Sequence, residues 1–200
     1  QRSVVNTVPG LVGVILTMTM VMFTSAAIVR ERERGNLEML INTPISSFEL
    51  MVAKIIPFIF IGAVQVCIIL SLGYWVFAVQ VVGSLVQLAL MTLLFIAASL
   101  VLGLIISTIA KTQLQAMQLT VFVLLPSILL SGFMFPYEGM PEVAQYIAEA
   151  LPATHYIRAI RAIVLREVEV TGMAFDAAWL AIFSLLGLLI ASIRFKKRLD

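Results

Sequence analysis

Apolar residues run almost unbroken through five stretches of the chain, covering residues 9–29, 48–79, 84–109, 114–134 and 173–193. Each stretch reaches or exceeds the roughly 20 residues that a helix needs to cross a hydrocarbon core. Helices are predicted rather than barrel strands, because no stretch alternates polar with apolar positions. A helix also satisfies its own backbone in lipid. The second and third stretches are long enough to require tilt, a kink or protrusion into the headgroups. Pro57 and Pro126 are the expected kinks. Ser46 stands three residues before Glu49, and Thr112 three before Gln115. Both spacings fit a capping box at the start of a helix, ahead of the second and fourth stretches.

Between the first two stretches lies "RERERGNLEMLINTPIS", residues 30–46. Gly35 separates the charged end of the first stretch from an apolar-rich segment that Pro44 closes. Within it Leu37, Leu40 and Ile41 fall on one helical face, with Glu38 and Asn42 on the other. A two-turn amphipathic helix is too short to be stable alone. It must rest on lipid, on its own bundle or in a partner's groove.

The connection between the fourth and fifth stretches, residues 135–171, is too long for a turn. Pro141 suits a first helical position. Beyond it Val143, Ala144, Ile147, Ala148 and Leu151 recur at helical spacing, opposite Glu142, Gln145 and Glu149, and Pro152 stops that segment. A second segment begins near His155 and sets Tyr156, Ile157, Ile160, Ile163 and Val164 beside Arg158 and Arg161. Two short amphipathic helices of this kind belong at a membrane interface or dip back into protein-lined space. They are expected to form an external cap, with His155 at the interface.

Composition agrees with a membrane protein: 62% of the 200 residues are hydrophobic and 12% are charged, against about half and a quarter in soluble domains. The net charge of +2 is too small to suggest a nucleic-acid partner. Charge placement says more. Arg30, Arg32, Arg34, Lys54, Lys111, Arg194, Lys196, Lys197 and Arg198 fall on one side of a five-crossing topology, and Arg2, Arg158, Arg161 and Arg166 on the other. The richer side is predicted to be cytoplasmic. The chain then begins outside and ends inside. One cysteine, Cys67, excludes an internal disulfide.

No phosphate-binding G-x-x-x-x-G-K-[ST] loop is present, so ATP hydrolysis by this chain is not expected. With a single histidine and no spaced Cys or His partners, neither a metal site nor a Ser–His–Asp set is expected. The chain reads as a non-enzyme. Lys54 can snorkel from the end of its span, whereas Gln65, Gln115 and Gln118 suit helix–helix hydrogen bonds. Gly103 with Ser107, and Gly187 with Ala191, suit close helix packing.

The wording "ERERGNLEMLINTPIS" resembles the ABC-2 type permeases, the membrane subunits of many bacterial ATP-binding cassette exporters. "SGFMFPYEGMPEVAQYIAEALPATHYIRAIRAIVL" is similar to the last external segment of that family, with its successive SG, FP (Pro136), MP and LP–T–Y elements. The likeness covers nearly the whole chain as a single transmembrane domain, 1–200. The family's first membrane helix and large external domain have no counterpart in it, so a C-terminal part of a longer permease is expected. The resemblance implies that Leu37, Glu38, Leu40 and Ile41 belong to a cytoplasmic coupling helix that docks on a nucleotide-binding subunit. Glu31, Arg32, Glu33 and Arg34 would flank the contact, with Gly35 and Pro44 bounding the coupling segment. It also implies an export path walled by the first and fourth stretches, with Met18 and Met22 facing Phe122 and Leu125.

The expected architecture is thus an all-α bundle of five transmembrane helices, with the coupling helix inside and Pro136, Pro141, Pro152, Tyr156, Arg158 and Arg161 in the external cap. The function implied is that of a permease subunit in the cytoplasmic (inner) membrane of a bacterium. It would work as a homodimer or heterodimer and move a hydrophobic or amphipathic substrate, such as a drug, lipid-linked molecule or peptide. ATP and Mg would bind the partner subunit and no cofactor this chain. A secondary transporter would require intramembrane acids, and Glu49 and Asp176 stand only at span ends. A membrane assembly protein would require neither the coupling segment nor the cap.

Overall fold

A computed structural model describes residues 2–33, 47–77, 85–130, 139–165 and 170–199. Among them the chain forms seven α-helices: α1 (Arg2–Glu33), α2 (Ser47–Phe77), α3 (Leu85–Ile109), α4 (Gln113–Leu130), α5 (Glu142–Glu149), α6 (Pro152–Leu165) and α7 (Val170–Leu199). Five contain a window long and apolar enough to cross a membrane: Gly10–Arg30, Val52–Leu72, Gln87–Ile109, Gln113–Leu130 and Ala174–Arg194. All five expected spans are therefore helical over their described residues. Pro57 and Pro126 both lie inside continuous helices.

The turn between α3 and α4 shows how local sequence sets a boundary. Thr112 Oγ1 accepts the N–H of Gln115 at 3.1 Å, and Gln115 Oε1 accepts the N–H of Lys111 at 2.8 Å. The expected capping box forms, with its return bond one residue earlier than in the standard motif. Ser46, the cap expected for α2, lies outside the described residues.

Two helices make the centre of the bundle. In α1 and α3, 61% of the spanning window is buried, against 17% in α2 and in α4 and 28% in α7. Helix α3 packs on α1, α2, α4, α6 and α7. Lipid tails are as apolar as leucine, so close packing rather than water exclusion must hold such helices together. Small residues provide it. A Cβ on Gly103 would stand 2.9 Å from both the Val21 carbonyl oxygen and Thr24 Cβ of α1. One on Gly187 of α7 would collide with Val101 of α3. Ser107 and Ala191 are buried as well. The two small-residue pairs lie on α3 and α7, and their glycines form the α1–α3 and α3–α7 seams.

The connection before α7 divides into unlike halves. Pro141 is the N-cap of α5 rather than its first helical residue. Val143, Tyr146 and Ile147 of α5 are exposed. Pro152 both follows α5 and opens α6, three residues before the start expected at His155. Helix α6 is wedged against α1, α3 and α7, with Tyr156, Ile157 and Ile160 buried. The Tyr156 ring stacks on Phe95 of α3, centroids 4.3 Å apart at 9°. Helix α6 is therefore enclosed by protein rather than laid on the surface of the bundle.

Candidate functional site

The expected coupling segment is seen only at its entrance. Arg34, Gly35, Leu37, Glu38, Leu40, Ile41 and Pro44 lie outside the described residues, and so does Pro136 of the expected cap. Arg32 belongs to the last turn of α1. Glu33 closes that helix, exposed, and ties it to α4: its carboxylate accepts the Gln113 N–H and the Gln113 Nε2–H, both at 3.2 Å. Below this clamp Val29 packs with Ala110 and Ala116, and Ser25 meets Thr120 at 3.5 Å. The end of α1 that leads into residues 34–46 is thus fastened to the start of α4.

The Ser25–Thr120 contact also fixes the antiparallel register of α1 against α4. Met18 and Met22 of α1 fall near the level of Phe122 and Leu125 of α4. The side chains do not enclose a passage within one chain. Phe122 and Leu125 are 75% and 54% exposed, Met18 is exposed and Met22 half-buried, while Met20 is buried in the core.

Polar side chains inside the bundle follow the expectation in part. Thr19 donates to Gln65 Oε1 at 2.9 Å, joining α1 to α2. Gln115 caps its own helix instead of bridging to another, and Gln118 is exposed. Cys67 is exposed on α2.

At the opposite end from Glu33 lies a cluster that sequence reasoning missed. His155, expected at an interface, is fully buried, and so is Asp176 at 1% exposure. His155 Nδ1 stands 2.7 Å from Asp176 Oδ1, and Nε2 stands 2.8 Å from the Glu149 carbonyl oxygen. Arg158 bridges both acids, Nη2 to Glu149 Oε1 at 2.8 Å and Nη1 to Asp176 Oδ1 at 3.3 Å. His155 and Arg158 of α6 thus find partners on α5 and α7, which lowers the cost of sinking the helix between its neighbours. Beside it Tyr156 and Thr92 share a hydroxyl–hydroxyl bond of 2.8 Å. The side chain of Arg161 lies outside the described residues.

Five helices long and apolar enough to span, with a further helix wedged among them, define a multi-pass α-helical membrane protein. The chain belongs to the ABC-2 type transporter family, whose model matches residues 1–165. It is similar to the probable multidrug ABC transporter permease YbhS of Escherichia coli K12, 35% identical over 159 residues, or 79% of this chain and 42% of that one. The inner membrane transport permease YhhJ of the same strain is 32% identical over 188 residues, 91% of this chain and 49% of that one. ABC transporter G family member 20 of Dictyostelium discoideum is 28% identical over 182 residues, 91% and 24% of the two chains. The chain spans less than half the length of each of these relatives.

Proposed function

We propose that the chain is the membrane-spanning part of an ATP-driven exporter, a permease without an ATPase site of its own. ATP and Mg bind a separate nucleotide-binding subunit, which docks on residues 34–46. The end carrying Glu33, Lys111 and the basic tail of α7 faces the cytoplasm, in a bacterial inner membrane. The substrate is hydrophobic or amphipathic, since Met18, Met22, Phe122 and Leu125 offer it apolar walls. Two permease chains pair across these walls.

The observation that carries this reading is the Glu33–Gln113 clamp. A displacement of residues 34–46 acts on the end of α1, and the clamp passes it to α4. The two helices that would move together are those that would line the path. Binding of a partner can shift such an element only if the partner holds its two positions with different affinity.

Leu40→Asp tests it. Burying a leucine in a partner groove contributes roughly 1.5–3 kcal/mol, and the substitution would lose this and desolvate a charge. The expected result in reconstituted vesicles is normal insertion, with loss of ATPase-subunit binding and of ATP-dependent transport. Binding and transport at the parent level would leave residues 34–46 a helix resting on lipid.

A further inference from the structure

His155 is the single histidine of the chain. It is fully buried, and both ring nitrogens face acceptors. The Glu149 carbonyl oxygen, 2.8 Å from Nε2, can only accept, so Nε2 carries hydrogen. At 2.7 Å, Nδ1 and Asp176 Oδ1 must have a proton between them. Either an imidazolium faces a carboxylate or a neutral imidazole faces a carboxylic acid.

Two neighbours select the first. Arg158 Nη1 donates to the same Oδ1 at 3.3 Å, which favours the carboxylate. The Trp179 indole lies against the imidazole, centroids 4.1 Å apart at 18°, and presents a π face to its charge. Two cations, His155 and Arg158, then balance two anions, Glu149 and Asp176. The elements around α6 bring little else. Helices α3 and α4 contain no charged residue, α1 has none between Arg2 and Arg30, and α7 has only Asp176 before Arg194. On α5, Glu142 accepts from the Tyr146 hydroxyl.

We propose that His155 and Asp176 form a proton-binding site, loaded from solution through Glu149, and that the bound proton fastens helix α6 to α5 and α7. Glu149 is the way in. Its carboxylate is about one-third exposed, at 34%, and Oε2 stands 3.6 Å from His155 Nε2. A proton leaving as H⁺ by this route takes nothing else with it and leaves a neutral ring. Neither neutral tautomer fits the cluster. Without hydrogen on Nδ1 a lone pair faces Asp176 Oδ1 on α7; without hydrogen on Nε2 it faces the Glu149 carbonyl of α5. One bond of α6 to a neighbour is lost in either case. This site is independent of what the bundle carries or what energises it.

The experiment is nitrogen-15 NMR of the histidine-labelled full chain in nanodiscs, with His155→Gln to identify the ring signals. At neutral pH the unsubstituted chain should show two protonated ring nitrogens. Asp176→Asn should show one, because an asparagine amide can donate to a bare Nδ1. Raising the pH should remove one N–H signal from the unsubstituted chain and, over the same interval, speed amide exchange in α6. A bare ring nitrogen in the unsubstituted chain at neutral pH overturns the proton site. Loss of the proton without faster exchange overturns its fastening role. Both readings come from the unsubstituted protein, so a misfolded variant leaves the test intact.

Discussion

The hydroxyls of Thr92 and Tyr156 meet at 2.8 Å where both residues are buried. Removing one partner strands the other, which costs about 1–3 kcal/mol, whereas removing both by apolar groups of similar shape costs much less. Thr92→Val and Tyr156→Phe should therefore each lower thermal stability in detergent, and the double variant should be more stable than the sum of the two losses implies. Strict additivity of the three melting shifts would mean the hydroxyls do not support each other. At this scale the sequence was legible where a residue's role is set by its own size. Gly103 and Gly187 read as packing residues and are packing residues. His155 was illegible because its partners, Asp176 and the Glu149 carbonyl, come from two other helices, and no local spacing announces such a meeting. Asp176 does sit near the start of its helix, as its position in the sequence says. Its burial comes from α6, which covers it.

Helices α5 and α6 illustrate the same limit one level up. Both read as short amphipathic helices, and both form. Periodicity gives the apolar face of a helix but not what covers it. Val143, Tyr146 and Ile147 of α5 are left exposed, while Tyr156, Ile157 and Ile160 of α6 are enclosed by α1, α3 and α7. A Cβ on Gly13 of α1 would lie 2.7 Å from Ile157 Cγ1, so α6 depends on a glycine far away in the chain for its seat. Local opening costs more where more packed contacts must break. Amide exchange in α6 should then be at least about tenfold slower than in α5. Equal rates would mean that α6 lies on the surface beside α5. The five spans needed no such information, since length and apolarity alone decide membrane crossing.

For the whole molecule, the exposed faces of the spans differ in kind. Those of α2 and α7 are apolar throughout their middle turns, with Phe60, Val64 and Ile68 on one and Ile182, Leu186 and Leu189 on the other. Lipid suits both. The exposed face of α4 carries Val121, Phe122, Leu125 and Leu129, but also Gln118. An amide turned to hydrocarbon leaves its hydrogen bonds unmade, so polar residues in spans tend to face protein or water. That face is expected to meet a second permease chain or the transport path, whereas α7 meets lipid. Thiols placed at Phe122 and at Leu186, in a chain whose Cys67 has been replaced by alanine, compare the two surfaces in membranes. Phe122→Cys should cross-link between chains on oxidation or react with a water-soluble maleimide, and Leu186→Cys should do neither. If both positions stay inert, α4 is a lipid-facing helix like α7, and Met18, Met22, Phe122 and Leu125 cannot be the walls of a path.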